Sequence, residues 1–497
     1  MLAEIISSSF IGVNGYIVNV EVDISNGLPN FSIVGMGDTA IAESRERIRP
    51  AIKNSGIDLL PKRIVVNLSP ADISKKGASF DLPIAVGILA SLNVVKKEKL
   101  KNYMIIGELS LGGEIKGTRG IINNVITAKE NLLEGIIIPY ENAKEASMIS
   151  GIKIIPVKNI KEIIKFLNGE IEINIDIKKE VEKIEYNIDF DEVKGQTKAK
   201  RGIEISAAGG HNIFMSGSPG SGKSMLAKRI ITILPKMTEK EIIESTKIHS
   251  ISGYLTKGNP IINRRPFRTP HHTSSDVALI GGGRFPRPGE ISLAHNGVLF
   301  LDEMPEFSRK VLEVLRQPLE DKKVSIARAN FNTEFPADFI LVGTSNPCPC
   351  GFLYEDLNSP RQCTCSATQI RNYQNKLSGP IMDRMDLNLE IKRLNEDELL
   401  RYEKGESSES IKKRVENARE HQKKRGKTNA NLTNKDLKKY CKLDLESEEI
   451  LKMASRNLGL SARGFDKILK VARTIADLEN AKNIKKGHVI EAISYRR

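Results

Sequence analysis

The chain has 497 residues, too many for one hydrophobic core, and its length predicts two to four domains. A composition of 40% hydrophobic and 28% charged residues is that of a folded chain and excludes a disordered one. No stretch approaches the roughly 18 apolar residues of a membrane span, and the N-terminus lacks the flanks of a secretion signal. Four of the five cysteines crowd between Cys348 and Cys365, unlike a disulfide framework. The expected compartment is the cytoplasm.

Residues 1–168 alternate short apolar runs with glycine-rich turns. Residues 17–22, 64–68 and 136–139 read as strands, and Leu82 to Leu92 and Asn123 to Leu133 as helices, which predicts an α/β domain. Residues 169–192 carry nine acids and few turn signals, the character of a linker or peripheral ribbon. From Val193 the pattern becomes strand, loop, helix, with strongly apolar strands, so a parallel sheet covered on both faces is expected over 193–388. Beyond about Asn388 the apolar periodicity is helical only, over 451–458 and 464–478. The net charge of +14 concentrates there, since residues 391–497 hold 27 basic and 17 acidic side chains. Residues 411–440 alone hold 11 basic and 3 acidic ones, in runs such as Lys412-Lys413-Arg414 and Lys423-Lys424-Arg425-Gly426-Lys427. Such a stripe is either a solvated helix face with a mobile loop or a surface that attracts nucleic acid by counterion release.

Gly217-Ser218-Pro219-Gly220-Ser221-Gly222-Lys223-Ser224 matches GxxxxGK[ST] between a strand-like and a helix-compatible run. Glycines let backbone N–H groups wrap phosphates, Lys223 would reach the β- and γ-phosphates of ATP, and Ser224 would join a Mg²⁺ shell. The apolar run Val298 to Leu301 then delivers Asp302 to a strand end, where it can hold Mg²⁺. Glu303 follows, placed to polarise an attacking water. The strand-like 339–345 ends on Asn346, a candidate for the γ-phosphate or else a turn cap.

With these motifs in order, the stretches Phe267-Arg-Thr-Pro-His-His-Thr-Ser-Ser-Asp and Pro288-Gly-Glu-Ile-Ser-Leu-Ala-His-Asn-Gly resemble the YifB/ComM group of magnesium-chelatase-like AAA+ ATPases. The resemblance extends over essentially the whole chain. It implies a Lon-protease-like N-terminal domain of the ribosomal S5 domain 2-like type (1–168), an AAA+ core (193–388) with an inserted hairpin, and a basic helical lid (389–497). It also implies a homohexameric, ATP-promoted ring acting on single-stranded or branched DNA in branch migration during natural transformation, with no membrane partner. By the same resemblance, Val193, Gly195 and Gln196 would cover the adenine. Arg384 is similar to the arginine finger offered to a neighbouring subunit, with pairing to Asp383 or Asp386 as the alternative. Arg463 resembles the lid arginine that contacts the γ-phosphate of its own subunit.

The 79 residues from Lys223 to Asp302 exceed one helix and one strand. A pore-facing insertion over about 254–287 is expected, with Arg264, Arg265, Arg268, Arg284 and Arg287 as phosphate contacts. His271 and His272 there could be subunit or DNA contacts, or a satisfied turn. Cys348, Cys350, Cys363 and Cys365 form two C-x-C pairs in a turn-rich loop, a donor set for structural Zn²⁺ or else free thiols, whereas Cys441 reads as core. In the Lon-like part, Lys76-Gly-Ala-Ser79-Phe-Asp-Leu resembles the nucleophile segment of Lon. The position of the Lon base lysine is taken by Ile122, with Lys116 and Arg119 out of register, so a proteolytically inactive domain is expected. A magnesium-chelatase-type ATPase subunit driving metal insertion is the competing function, and a Lon-like peptidase is disfavoured.

Overall fold

Alternation along Asn14–Ser25 sends Val18, Val20, Val22 and Ile24 to one face, and these four are buried. The computed structural model describes every residue except 1, 36, 74, 76, 175–185, 256–257, 284–285, 329–330, 356–360, 395–404 and 497. Lys76 and Arg284 therefore lie outside the described residues. The chain divides into two units, residues 1–182 with 242–262, and residues 183–241 with 263–497.

The first unit is built on a mixed seven-stranded sheet. Its spatial order is Asn30–Val34, Arg63–Ser69, Asn14–Ser25, Leu2–Ile11, Tyr103–Ile105, Gly135–Pro139 and Lys153–Val157. Leu2–Ile11 pairs antiparallel with Asn14–Ser25 along its whole length, and the last three strands run parallel. The helix Asp81–Ser91 is buried all round, as its apolar run Leu82 to Ala90 requires. It and Ile121–Glu130 lie within three residues of the expected helix ends. One division differs from the sequence reading. Residues 242–262, expected in the ATPase core, belong to this first unit, where Ser250 accepts from the Gly120 amide and donates to Glu145.

The second unit carries a five-stranded, all-parallel sheet in the order Phe267–Arg268, Val298–Leu301, Ile340–Ser345, Ile213–Gly217 and Leu387–Ile391. Residues of Val298–Leu301 and Ile340–Ser345 are buried without alternation, because both faces are covered. Three expectations need correction. The stretch 254–287 is not simply an insertion, since it contains the edge strand Phe267–Arg268. The purely helical region does not begin at 389, because Leu387–Ile391 hydrogen-bonds into the sheet beside the phosphate-loop strand. The end of the acidic segment is no free linker: Phe190 is fully buried, and Asp189 accepts the Ser408 amide at 2.9 Å. The terminal helices Ser408–Arg425, Asn434–Tyr440, Leu445–Leu458, Ala462–Leu478 and Lys486–Ser494 contribute to the same hydrophobic core as the sheet.

Candidate nucleotide site

The strand Ile213–Gly217 ends where a Cβ on Gly217 would lie 2.2 Å from the carbonyl of Ile391, so only glycine fits beside the neighbouring strand. Gly220 and Gly222 adopt left-handed φ values of 78° and 91°, and Gly222 caps the helix Lys223–Ile233. The loop thereby presents a helix N-terminus, with its unpaired N–H groups and positive dipole end, to an anion. Lys223 Nζ donates to the carbonyls of Gly217 (2.6 Å) and Ser218 (2.9 Å) and to Asn346 Oδ1 (3.3 Å). Burial holds its pKa below the ordinary lysine value, with Asp302 and Glu303 pulling the other way. A buried ammonium satisfied by neutral carbonyls gains most from a polyphosphate.

Ser224 Oγ lies 3.0 and 2.9 Å from the two carboxylate oxygens of Asp302. A hydroxyl and a carboxylate in contact, at the end of a buried strand, are a donor set suited to Mg²⁺. Thr344, which sequence reasoning missed, ties this corner together. Its hydroxyl donates to Asp302 Oδ1 at 2.5 Å and accepts the Glu303 amide at 3.0 Å. Glu303 sits at φ 50°, a left-handed conformation unusual for glutamate, and its side chain is exposed. The signal available was the polar Thr344-Ser345 pair that ends an otherwise apolar strand.

Glu303 and Asn346 line a cavity of about 490 Å³ together with Glu306, Pro349, Gln369, Asn372, Tyr373 and Lys376. Burial, together with Glu306 and Glu303, pushes the Tyr373 phenol up to about 12. Two residues past Asn346 the cysteines begin. The four sulfurs lie within 4.8 Å of one another, with Cys348 at 3.3 Å from Cys350 and 3.7 Å from Cys363. Four thiolates around Zn²⁺ at about 2.3 Å would stand roughly 3.8 Å apart, so the donor set fits a tetrahedral ion. Cys441 is buried in the core, as expected.

Arg384 and Arg463 occupy a second cavity of about 580 Å³, which none of residues 217–224, 302 or 303 lines. Both guanidinium groups reach the same oxygen of Glu320, at 2.7 Å from Arg384 and 3.2 Å from Arg463. Arg384 also donates to the carbonyls of Pro380 and Arg316, and it pairs with neither Asp383 nor Asp386 in any described contact. Arg463 thus stands beside the finger candidate Arg384. Lys322, Lys427, Lys467 and Lys470 line the same cavity together with the acids Glu320, Asp383, Asp386 and Asp466. Asp386, which burial alone would raise, is held far below the usual carboxylate range by Lys467 and His211.

The remaining candidates divide. Val193 is buried in the core, Gly195 is exposed with φ 52°, and the Gln196 amide donates to the Lys392 carbonyl at the end of the strand beside Gly217. Two expected phosphate contacts are engaged internally: Arg265 binds Glu241 and three backbone carbonyls, and Arg268 forms a bidentate pair with Glu290. Arg264 and Arg287 are exposed. The His271 and His272 rings stack at 4.1 Å, and His271 Nδ1 meets the Thr273 hydroxyl at 2.8 Å, a locally satisfied turn. In the basic stripe Arg425 is bound to the buried Asp477, Lys427 to Asp436 and Lys423 to Glu420. In the first unit Ile122 is fully buried and offers only its amide, to Glu145. Lys75, four residues before Ser79, is also fully buried, and its Nζ hydrogen-bonds no described atom, the Ser79 hydroxyl included.

Family models drawn from the same enzyme match three stretches of the chain: subunit ChlI of Mg-chelatase over residues 20–142, magnesium chelatase subunit ChlI over 189–399, and the C-terminal part of that subunit over 405–496. Competence protein ComM of Haemophilus influenzae is 42% identical over 504 residues, covering 100% of this chain and 97% of its own. The chain belongs to the YifB/ComM family of magnesium-chelatase-like proteins. YifB of Escherichia coli, 41% identical across 98% of this chain and 95% of its own, is a second full-length relative. A Lon protease of Buchnera aphidicola is 25% identical over 176 residues, a third of this chain and 22% of its own length. Membership of this AAA+ family implies ATPase activity, with ATP and Mg²⁺ as the ligands. Among the described residues no helix is long and apolar enough to cross a membrane.

Proposed function

We propose that this ATPase is a DNA motor working as a homohexameric, ATP-promoted ring, in branch migration or helicase action during recombination and natural transformation. The observation that carries the reading is the separation of the phosphate loop from the cavity that holds the two candidate arginines. The phosphate loop and its acids form one site, and the Arg384–Arg463 cavity forms another that none of them lines. A motor subunit that hydrolyses ATP at one face and presents arginines at another requires a neighbour for each. In this reading Lys223 and the loop amides bind the β- and γ-phosphates, and Val193, Gly195 and Gln196 close over the base. Ser224 and Asp302 hold Mg²⁺, which when bound withdraws charge from the phosphate oxygens. Glu303 accepts a proton from the attacking water, and Asn346 hydrogen-bonds the γ-phosphate. Arg384 and Arg463 both act in trans, neutralising charge that grows on the neighbour's transferred group. The four cysteine sulfurs hold a structural Zn²⁺. The first unit, with Ile122 in place of a base, is a proteolytically inactive scaffold.

DNA as the polyanion is supported by the basic excess of residues 391–497, with Lys413, Lys423 and Lys424 exposed, and by a full-length relative named for competence. The family descriptions favour a second reading, an ATPase subunit driving metal insertion into a tetrapyrrole, which leaves the Lon-like first unit without a role. Turnover measured with branched or single-stranded DNA, with protoporphyrin and with unfolded casein separates them. Stimulation by DNA alone is expected, and stimulation by protoporphyrin alone would overturn the proposal.

A further inference from the structure

The loop that carries the four cysteines is part of the wall around the hydrolytic residues. It leaves the sheet at Ser345, and Asn346 reaches Lys223 Nζ at 3.3 Å. Cys348 follows two residues later and is fully buried. The turn Cys348–Gly351 is closed by the Gly351 amide, which donates to the Cys348 carbonyl at 3.0 Å and to its sulfur at 3.2 Å. Amides directed at sulfur orient the thiolates of a metal site. Gly351 has φ 87°, and a Cβ there would lie 2.5 Å from Pro219 Cδ, so the turn sits directly on the phosphate loop. Pro349, between the first two cysteines, lines the 490 Å³ cavity that holds Glu303 and Asn346.

The other end of the loop returns to the same place. Ser366, immediately after Cys365, caps the helix Ala367–Gln374 through a capping box with Gln369. That helix brings Gln369, Asn372 and Tyr373 to the opposite wall of the cavity, and its Gln374 amide donates to the Pro347 carbonyl at 3.2 Å. The two C-x-C pairs therefore stand at the roots of two walls, one carrying Asn346 and Pro349, the other the helix. Joining the pairs through one ion fixes the separation of the walls.

From this we infer that the four-cysteine site is a positioning site for ATP hydrolysis. A Zn²⁺ shared by Cys348, Cys350, Cys363 and Cys365 sets the spacing of the chamber around Glu303, and occupancy of the phosphate loop is felt at the metal through the Gly351–Pro219 contact. The inference rests on the reading of Glu303 and Asn346 as hydrolytic groups. A misplacement near 1 Å at such groups costs up to about 100-fold in rate. Removal of the ion should therefore act on kcat, leaving the helix N-terminus and Lys223 to bind nucleotide.

The full-length protein is tested in four arms. Native mass spectrometry should give one zinc per wild-type chain. The double variant Cys363→Ser/Cys365→Ser, at the pair remote from the phosphate loop, should lose the metal, keep affinity for a fluorescent ATP analogue within a few-fold, and lose about 10- to 100-fold in kcat. Cobalt-substituted wild-type protein should keep its turnover and change its thiolate-to-cobalt absorption when a non-hydrolysable ATP analogue is added. Gly351→Ala, which leaves all four sulfurs in place, should keep the zinc and lower kcat. Wild-type protein that turns over ATP without bound metal, a metal-free double variant with unchanged kcat, or a cobalt spectrum indifferent to nucleotide would each overturn the inference. If wild-type protein binds ATP and Glu303→Gln hydrolyses it normally, the underlying reading fails instead, whatever the metal content.

Discussion

The Thr344 hydroxyl offers the sharpest perturbation of the hydrolytic corner, because it touches both acids and neither phosphate-binding group. Thr344→Val preserves shape in a fully buried strand position but removes the donor to Asp302 Oδ1 at 2.5 Å and the acceptor of the Glu303 amide at 3.0 Å. A hydrogen bond to a charged group contributes about 1.5–3 kcal/mol, and an unsatisfied buried N–H costs about 1–3 kcal/mol. Glu303 is also held in a left-handed conformation that costs about 1–3 kcal/mol and persists only where its surroundings enforce it. If the first of these terms appears in the transition state, turnover falls about 10- to 100-fold. Nucleotide affinity should be nearly unchanged, since Lys223 and the glycines are untouched. Steady-state ATP hydrolysis and titration with a fluorescent analogue read the two quantities separately, and Thr344→Ser, which keeps the hydroxyl, should retain most of the activity. Normal turnover in a folded Thr344→Val protein would refute the reasoning.

Other consequences follow from the second cavity and from the buried histidine. Arg384→Ala and Arg463→Ala should each bind ATP yet hydrolyse it poorly, and each should regain turnover when mixed with Lys223→Ala. Rescue of Arg384→Ala alone would return Arg463 to action within its own subunit. His211 is fully buried, with Nε2 at 2.7 Å from the Thr474 hydroxyl; burial depresses its pKa despite Asp386 at 3.4 Å, with Lys467 and Lys470 also opposing protonation. A depressed histidine stabilises the fold fully above its unfolded pKa of about 6.5, and the stability is lost as pH falls towards the folded value. The melting temperature should therefore drop between about pH 7.5 and about pH 5.5, and His211→Gln should show a smaller drop. Equal drops would exclude His211 as the cause.

Much of the nucleotide site was legible because its chemistry is local. The glycine spacing around Lys223, the apolar strand before Asp302 and the polar residue after Ser345 are contiguous patterns, and the chain places each at the end of a parallel strand. Pairings between distant segments were not legible. Arg268 met Glu290 and Arg265 met Glu241, which removed two arginines from the phosphate candidates, because a guanidinium in sequence carries no mark of its partner. The short edge strand Phe267–Arg268 escaped because two residues show no periodicity, and its strand character comes wholly from pairing with Val298–Leu301. Residues 242–262 read as part of the ATPase core from their position between its motifs, whereas contacts such as Ser250 with Glu145 assign them to the first unit. Arg463 was assigned by resemblance to its own subunit's phosphate, and only the shared carboxylate of Glu320 brought it beside Arg384.

The central claim, ATP hydrolysis coupled to movement on DNA, is tested most directly on a synthetic four-way junction with one labelled arm. Wild-type protein with ATP and Mg²⁺ should convert the junction to migrated duplex products at a rate that follows its ATPase. Glu303→Gln should bind the junction and ATP but leave it unmoved. Junction conversion by Glu303→Gln at the wild-type rate, or an ATPase-active wild-type protein that neither binds nor moves the junction, would contradict the account.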